Sequence, residues 1–179
     1  MHVRLVGMSP VLYNRMSSHT HDDWEIVLNF QGSGQTDIGN RRYPFGPGTI
    51  ICQPPNIPHN KLSKNGFRDI YIQPISFPLQ KLADENGVLV LQDDHEKTFQ
   101  TLIFLAHRVF HASEENYQNL LDALMDSMLQ LLIGWQGGSL QDPSVEHLKN
   151  QMILSFTDPE FSVTDLLDNS SCCSDHMRR

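Results

Sequence analysis

The sequence predicts a mostly β plus α protein: a small barrel or sandwich of short strands, then two long helices and a short helical tail. Three observations predict it. Turn formers crowd residues 1–92, as in Gly32-Ser33-Gly34, Gly46-Pro47-Gly48 and Pro54-Pro55-Asn56, with short apolar runs between them. From Asp93 onward apolar residues recur instead at spacings of three and four. Residues 137–143, Gly-Gly-Ser-Leu-Gln-Asp-Pro, then have the composition of a linker.

The first strand candidate is Trp24-Glu25-Ile26-Val27-Leu28-Asn29-Phe30, β-branched and aromatic in the main. Residues 34–38, the Gly39-Asn40 turn and Arg41-Arg42-Tyr43 read as a hairpin. Thr49-Ile50-Ile51-Cys52 is a third strand, and residues 68–75 a fourth. Phe99, Leu102, Ile103, Ala106, Val109 and Phe110 form one helical stripe. Leu120, Leu121, Leu124, Met125, Met128, Leu131, Leu132 and Trp135 form a second, the two helices running about 16–22 residues and meeting near residues 113–116. The second stripe is wide enough for two uses: packing on the barrel, and a homodimer seam through Leu124, Met128 and Leu131. Past the linker, Ser144 caps a helix over residues 145–156. Ser162-Val163-Thr164-Asp165 resembles a capping box, with Asp in place of the usual Glu or Gln, and Ser174 caps a last helix that begins Asp175-His176-Met177-Arg178-Arg179. The division is therefore 1–92 barrel, 93–136 helices, 137–143 linker and 144–179 tail.

Composition narrows the function. Hydrophobic residues make up 39% and charged residues 19%, which fits a folded chain. No apolar run is long enough to span a bilayer, and the N-terminus does not read as a signal peptide. Three cysteines, two of them adjacent (Cys172 and Cys173), do not make a disulfide framework, so a reducing cytoplasm is expected. Residues 1–90 hold 8 Lys+Arg against 7 Asp+Glu, and residues 91–179 hold 5 against 14, within a total of −8. So acidic a second half is expected to bind nucleic acid poorly, since that affinity rests on basic side chains meeting phosphates.

The sharpest chemistry lies in His19-Thr20-His21-Asp22-Asp23-Trp24-Glu25, followed six residues later by Gly32. On one extended strand, residues 19, 21 and 25 share a face, so two imidazoles and a carboxylate can enter one interior. Asn29 shares their parity. A second block runs from Pro44 to His59, where a Gly-bounded turn, a strand and a Pro-rich turn deliver His59. Imidazoles with one carboxylate suit Zn, Ni, Mn or Fe, and the same polar groups can line an effector pocket without a metal. Trp24, of opposite parity, is expected in the core. Asp22-Asp23 and Arg41-Arg42 are expected to be solvated, and His107, His111 and His147 to be surface or packing residues.

These two blocks resemble the two cupin motifs. His-x-His-x3-Glu-x6-Gly is matched from His19 to Gly32, though Tyr13 stands where an upstream glycine is usual. Gly-x5-Pro is matched from Gly48 to Pro54, with His59 at the usual distance and with Asn56 and Ser63 departing from the usual glycine and asparagine. The resemblance implies a double-stranded β-barrel, a jelly roll, in which His19, His21, Glu25 and His59 are the positions that ligate metal in metal-binding cupins.

The tail resembles the first helix-turn-helix of AraC/XylS transcription regulators, with a short helix after Ser162 and a serine-capped helix from Ser174. Cys172 and Cys173 replace the usual glycine and aromatic. Taken with the barrel and helices, this resemblance implies an effector-sensing, dimerising regulator domain cut off early in its DNA-binding region. Ser174, His176, Arg178 and Arg179 would stand on the DNA-facing helix. The expected partners are a small effector, for example a carbohydrate, bound by His19, His21, Glu25, Asn29 and His59; a second copy of the chain; and DNA only in the full-length protein. No catalytic residue is expected. A small metal-dependent cupin enzyme, an isomerase or dioxygenase, is the alternative, and a sugar-binding module with no regulatory role is a third reading.

Overall fold

In a computed structural model we describe residues 1–78, 83–85, 87–112, 115–138, 162 and 164. The strands are β1 (Val3–Met8), β2 (Tyr13–His19), β3 (Glu25–Gly32), β4 (Gly34–Ile38), β5 (Arg41–Phe45), β6 (Thr49–Gln53), β7 (His59–Pro74) and β8 (Leu89–Gln92). Helices α1 (Thr98–Ala112) and α2 (Tyr117–Gly138) follow. All strand pairs are antiparallel, in the order β5-β4-β7-β3-β6-β8, with β1 and β2 also pairing to β7. The sheet curls into a half-barrel, and the strand-rich sheet followed by two helices is the fold class the sequence predicts. The chain divides into two compact units, Met1–Trp135 and Gln136–Arg179. The expected tail helices and Ser174, His176, Arg178 and Arg179 lie outside the described residues.

Alternation along the strands gives the sheet two different faces. Ile26 and Leu28 of β3, Ile50 and Cys52 of β6, and Ile70 and Ile72 of β7 pack with Phe99, Ile103 and Ala106 of α1 and with Leu121, Met125, Met128 and Leu132 of α2. Trp24 joins this core, as its parity predicts. The other face carries Glu25, Val27 and Asn29 beside Gln53, Ile51 and Thr49. Asp69 and Tyr71 of β7 lie on its far side, and a small apolar cluster of Ile38, Phe45, Ile51, Phe67 and Val88 fills one end. Gly32 closes β3 at φ +77°, and a Cβ there would run into the Gly66 carbonyl oxygen, so only glycine lets the two backbones meet.

Several sequence expectations need correction. Strands β1, β2 and β8 were not predicted, and β7 begins at His59 rather than near residue 68. Strand β2 is exposed at six of its seven positions, so no apolar alternation marks it. Residues 19–25 are not one strand. His19 ends β2, Glu25 opens β3, and His21 sits in the connection between them. Asp23 is not solvated but buried, with its carboxylate 2.9 Å from the Arg4 guanidinium. Gly137 and Gly138, read as linker, are the last residues of α2.

Two of the three expected dimer residues also need correction. Leu124 is 8% exposed and Met128 0%, both within the core shared with the sheet, and Leu131 is half-buried. The wide stripe of α2 is used on the protein's own sheet. Leu120 and Ile133 are its exposed large apolar residues, at 51% and 40%. Helix α2 is further tied to β1, where Asp122 accepts the Val3 N–H at 3.2 Å. Helix α1 is capped from outside: the Asp93 carboxylate accepts the Phe99 and Gln100 N–H groups, each at 3.0 Å, and the Asp94 carboxylate accepts that of Thr98 at 2.8 Å.

Two expected outcomes follow from this packing. In urea denaturation, Met128→Ala lowers stability by about 2–5 kcal/mol, because it empties a closed site. The exposed Leu120→Ala shifts it by less than about 0.5 kcal/mol, and equal losses for the two would contradict the packing of α2. Asp93→Ala, which strips two caps from α1, costs about 1–2 kcal/mol in the same assay.

Candidate functional site

Register brings the site together. His19 of β2 is the direct cross-strand partner of His59, which opens β7. Their ring centroids are 4.3 Å apart, and that of His21 is 4.9 Å from His59. The Asn56 N–H donates to the His21 carbonyl at 2.9 Å and pins this connection to the Pro-rich turn that delivers His59. Asn56 has φ 63°, the left-handed conformation. Glycine takes that conformation freely and asparagine tolerates it, which is why Asn can stand where the cupin pattern has glycine.

The three imidazoles are oriented alike. Nδ1 of His19, His21 and His59 faces the carbonyl of Ser17, Asp23 and Ile57 at 3.1, 2.7 and 2.9 Å. A carbonyl only accepts, so each Nδ1 carries the proton and each neutral ring keeps its Nε2 lone pair. The Nε2 atoms of His21 and His59 are buried and find no hydrogen-bond partner among the described residues. One ligand atom from each of the three rings lies within 4.8 Å of the others. Glu25 Oε2 stands 3.5 Å from His21 Nε2 and 3.7 Å from His59 Nε2, near enough for charge but too long for good hydrogen bonds. A cluster of backbone-anchored imidazoles with unused buried lone pairs fits a divalent transition metal. Glu25 lies beside this trio rather than within it.

Two residues that the sequence reading missed hold Glu25. Gln53, its partner across β6, donates to Oε2 at 2.5 Å, and Gln73 of β7 donates to Oε1 at 3.1 Å. Burial pushes this carboxyl up, but His21, the Gln73 amide and His59 outweigh it and leave Glu25 below the usual carboxylate range. The Glu25 carboxylate in turn raises His21, whereas burial lowers His59.

All four of these side chains line a cavity of about 270 Å³ whose other end was also missed. There Lys61 Nζ donates to Asn29 Oδ1 at 2.7 Å and Asp69 Oδ2 at 2.6 Å, and the Ser9 hydroxyl donates to Asp69 Oδ1. Lys61 is 6% exposed and Asp69 2%. Lys61 also lies 5.0 Å from the centre of the Phe45 ring. Asn29, expected in the cavity, is fully buried and absent from its lining. Its amide donates to the Thr49 carbonyl, and it bears on the cavity only through Lys61. A usable signal existed for Asp69, Tyr71 and Gln73, which alternate with Ile70 and Ile72 in the predicted fourth strand and must therefore face the other way.

Residues 12–156 match the family of AraC-like ligand binding domains. The chain belongs to this family. No curated protein matches it. Among solved structures, this AraC-like domain is similar to a predicted oxalate decarboxylase from Thermotoga maritima, with 15% identity over 42% of this chain and 69% of that one, at TM-score 0.38. It is also similar to a conserved Streptococcus pyogenes protein of unknown function, with 18% identity over 40% and 62% of the chains, at TM-score 0.35. A cupin-2 domain containing protein from Shewanella frigidimarina is a third, with 17% identity over 38% and 66%, at TM-score 0.33. The domain thus spans less than two thirds of the last two. Among the described residues of the domain, no helix is long and apolar enough to cross a membrane.

The buried pair Lys61–Asp69 gives a direct test of the interior. Asp69→Leu alone strands a buried ammonium and costs about 3–5 kcal/mol. Lys61→Met with Asp69→Leu together costs markedly less than the sum of the two single changes, so a double-mutant cycle reads a large coupling. Additive losses would mean that the two charges do not pair in solution.

Proposed function

We propose that this chain is the effector-sensing domain of an AraC-type transcription regulator, and that its small-molecule effector binds in the cavity beside a divalent transition metal. His19, His21 and His59 would hold the metal (Zn, Ni, Mn or Fe), with Glu25 as the adjoining carboxylate. Membership of the ligand-binding family supports the sensing role. The observation that carries the metal is the pair of buried, partnerless Nε2 atoms on His21 and His59. When bound, the ion supplies a Lewis acid that takes oxygen atoms of the effector. The residues of the chain do the rest. Backbone carbonyls hold the rings in one tautomer, and Gln53 and Gln73 hold the Glu25 carboxylate in place. A homodimer, a cytoplasmic location and, in the full-length protein only, DNA reading by a region containing Ser174, His176, Arg178 and Arg179 belong to the same reading.

The alternative of a small metal-dependent enzyme, an isomerase or dioxygenase, is favoured by one observation: the three clustered imidazoles line a cavity of about 270 Å³. Catalytic turnover of a cavity ligand by metal-loaded protein would select it over the sensor.

Elemental analysis of protein purified without a His-tag is expected to find a transition metal, and a chelator is expected to lower its melting temperature. His21→Ala should lose the metal and its response to chelator. A metal-free wild type that gains no stability from any of the four ions rules the metal out. In a low-salt gel shift, this acidic chain should bind duplex DNA weakly and without sequence preference. Submicromolar, sequence-selective binding would contradict that.

A further inference from the structure

We infer that the effector is a small hydroxycarboxylate, its carboxylate at the metal held by His19, His21 and His59 and a hydroxyl at the Lys61–Asp69 pair. This deepens the metal-dependent sensor reading and rests on it. Charge balance across the cavity is the argument. A divalent cation held by three neutral imidazoles leaves that end with net positive charge whether or not Glu25 carries a proton. A ligand that enters a buried site is held best when it cancels such a charge, because uncompensated charge is costly away from water. A carboxylate cancels it, and a neutral polyol does not.

The other end asks for something different. Lys61 and Asp69 cancel each other, so a second carboxylate there would meet the Asp69 charge with no net attraction to offset it. An ammonium has three N–H donors, and Lys61 makes two hydrogen bonds. Each Asp69 oxygen accepts one bond and keeps a further lone pair. The pair therefore presents a donor beside an acceptor, the complement of a hydroxyl, which is both. An ion pair is also a costly lining for a closed interior, since apolar residues of the same volume would fill it as stably or more so. Its place on the cavity wall gives it a ligand to serve. Val27 and Tyr71 lie between the two ends, so one molecule reaching both must pass a mainly apolar belt. A cavity of 270 Å³ sits near the ~300 Å³ lower end of small-molecule sites, which suits hydroxy acids of about three to six carbons.

The test uses the full chain and two steps. Calorimetry first measures Mn²⁺ uptake alone. Mn²⁺-loaded protein is then titrated with D-glycerate, L-threonate and D-gluconate, and with two controls. Sorbitol keeps the hydroxyls of gluconate without its carboxylate, and hexanoate keeps the carboxylate without the hydroxyls. At least one hydroxy acid should bind about tenfold or more tighter than either control, the worth of one charge-assisted hydrogen bond. In the Lys61→Met/Asp69→Leu double variant, its fold checked by circular dichroism, that acid should fall to the level of hexanoate while hexanoate is unchanged. Failure to take up Mn²⁺, and Zn²⁺, Ni²⁺ or Fe²⁺ tried in its place, overturns the metal reading, and this inference with it. Mn²⁺ uptake followed by sorbitol binding as tightly as gluconate overturns this inference alone. So does Mn²⁺ uptake with no hydroxy acid bound, or a double variant that binds the hydroxy acid as wild type does.

Discussion

Lys61 and Asp69 lie on the same strand, eight residues apart. In a straight strand their Cα atoms would stand about 26 Å from each other, far beyond the reach of two side chains. Instead the ammonium and carboxylate meet at 2.6 Å. This contact records how sharply β7 curls, and the curl is what everything else depends on. A strand has only two edges, yet β7 pairs with β1, β2, β3 and β4. It can do so because its first half faces β2 and β4 and its second half faces β1 and β3, with irregular register against β2 where the halves join. A straight β7 would leave His59 far from Glu25 and the cavity unformed.

The curl also divides the chemistry. Its outer face is apolar and takes the helices, and the stability of the fold resides there. Its inner face buries Glu25, Gln53, His59, Lys61 and Asp69, a set that no folding argument would choose. Each is held by a specific partner, so the inner face is stiff as well as polar. A site built this way meets its ligand with little reorganisation, and its polar groups are already aligned.

How much of this the sequence discloses depends on which physical signal each residue carries. His19, His21, Glu25 and His59 are legible because their spacing is local and their side chains are chemically conspicuous. They do not share one continuous strand, since His19 ends β2 and Glu25 opens β3. They converge through cross-strand pairing of His19 with His59 and through the Asn56 bond to the His21 backbone. Trp24 and the helical stripes are legible from period alone. Leu124 and Met128 show the limit of that signal, because periodicity says that a face is apolar and not what covers it. Lys61 is the least legible. Its role depends on a strand bend and on partners from β3 and from the far half of β7, and neither leaves a mark in the residues around position 61.

The two tryptophans of the chain both stand on the helix side of the sheet. Trp24 lies against Phe77, with ring centroids 5.3 Å apart, and Trp135 packs near Phe99 at 6.4 Å. Neither lines the inner cavity. Indole emission is thus a spectroscopic reporter of one half of the molecule. It follows the docking of helices on the sheet and is blind by position to whatever enters from the opposite face. A ligand that nevertheless altered that emission would have passed its influence through the sheet to the helices, the direction in which a sensor must send its signal.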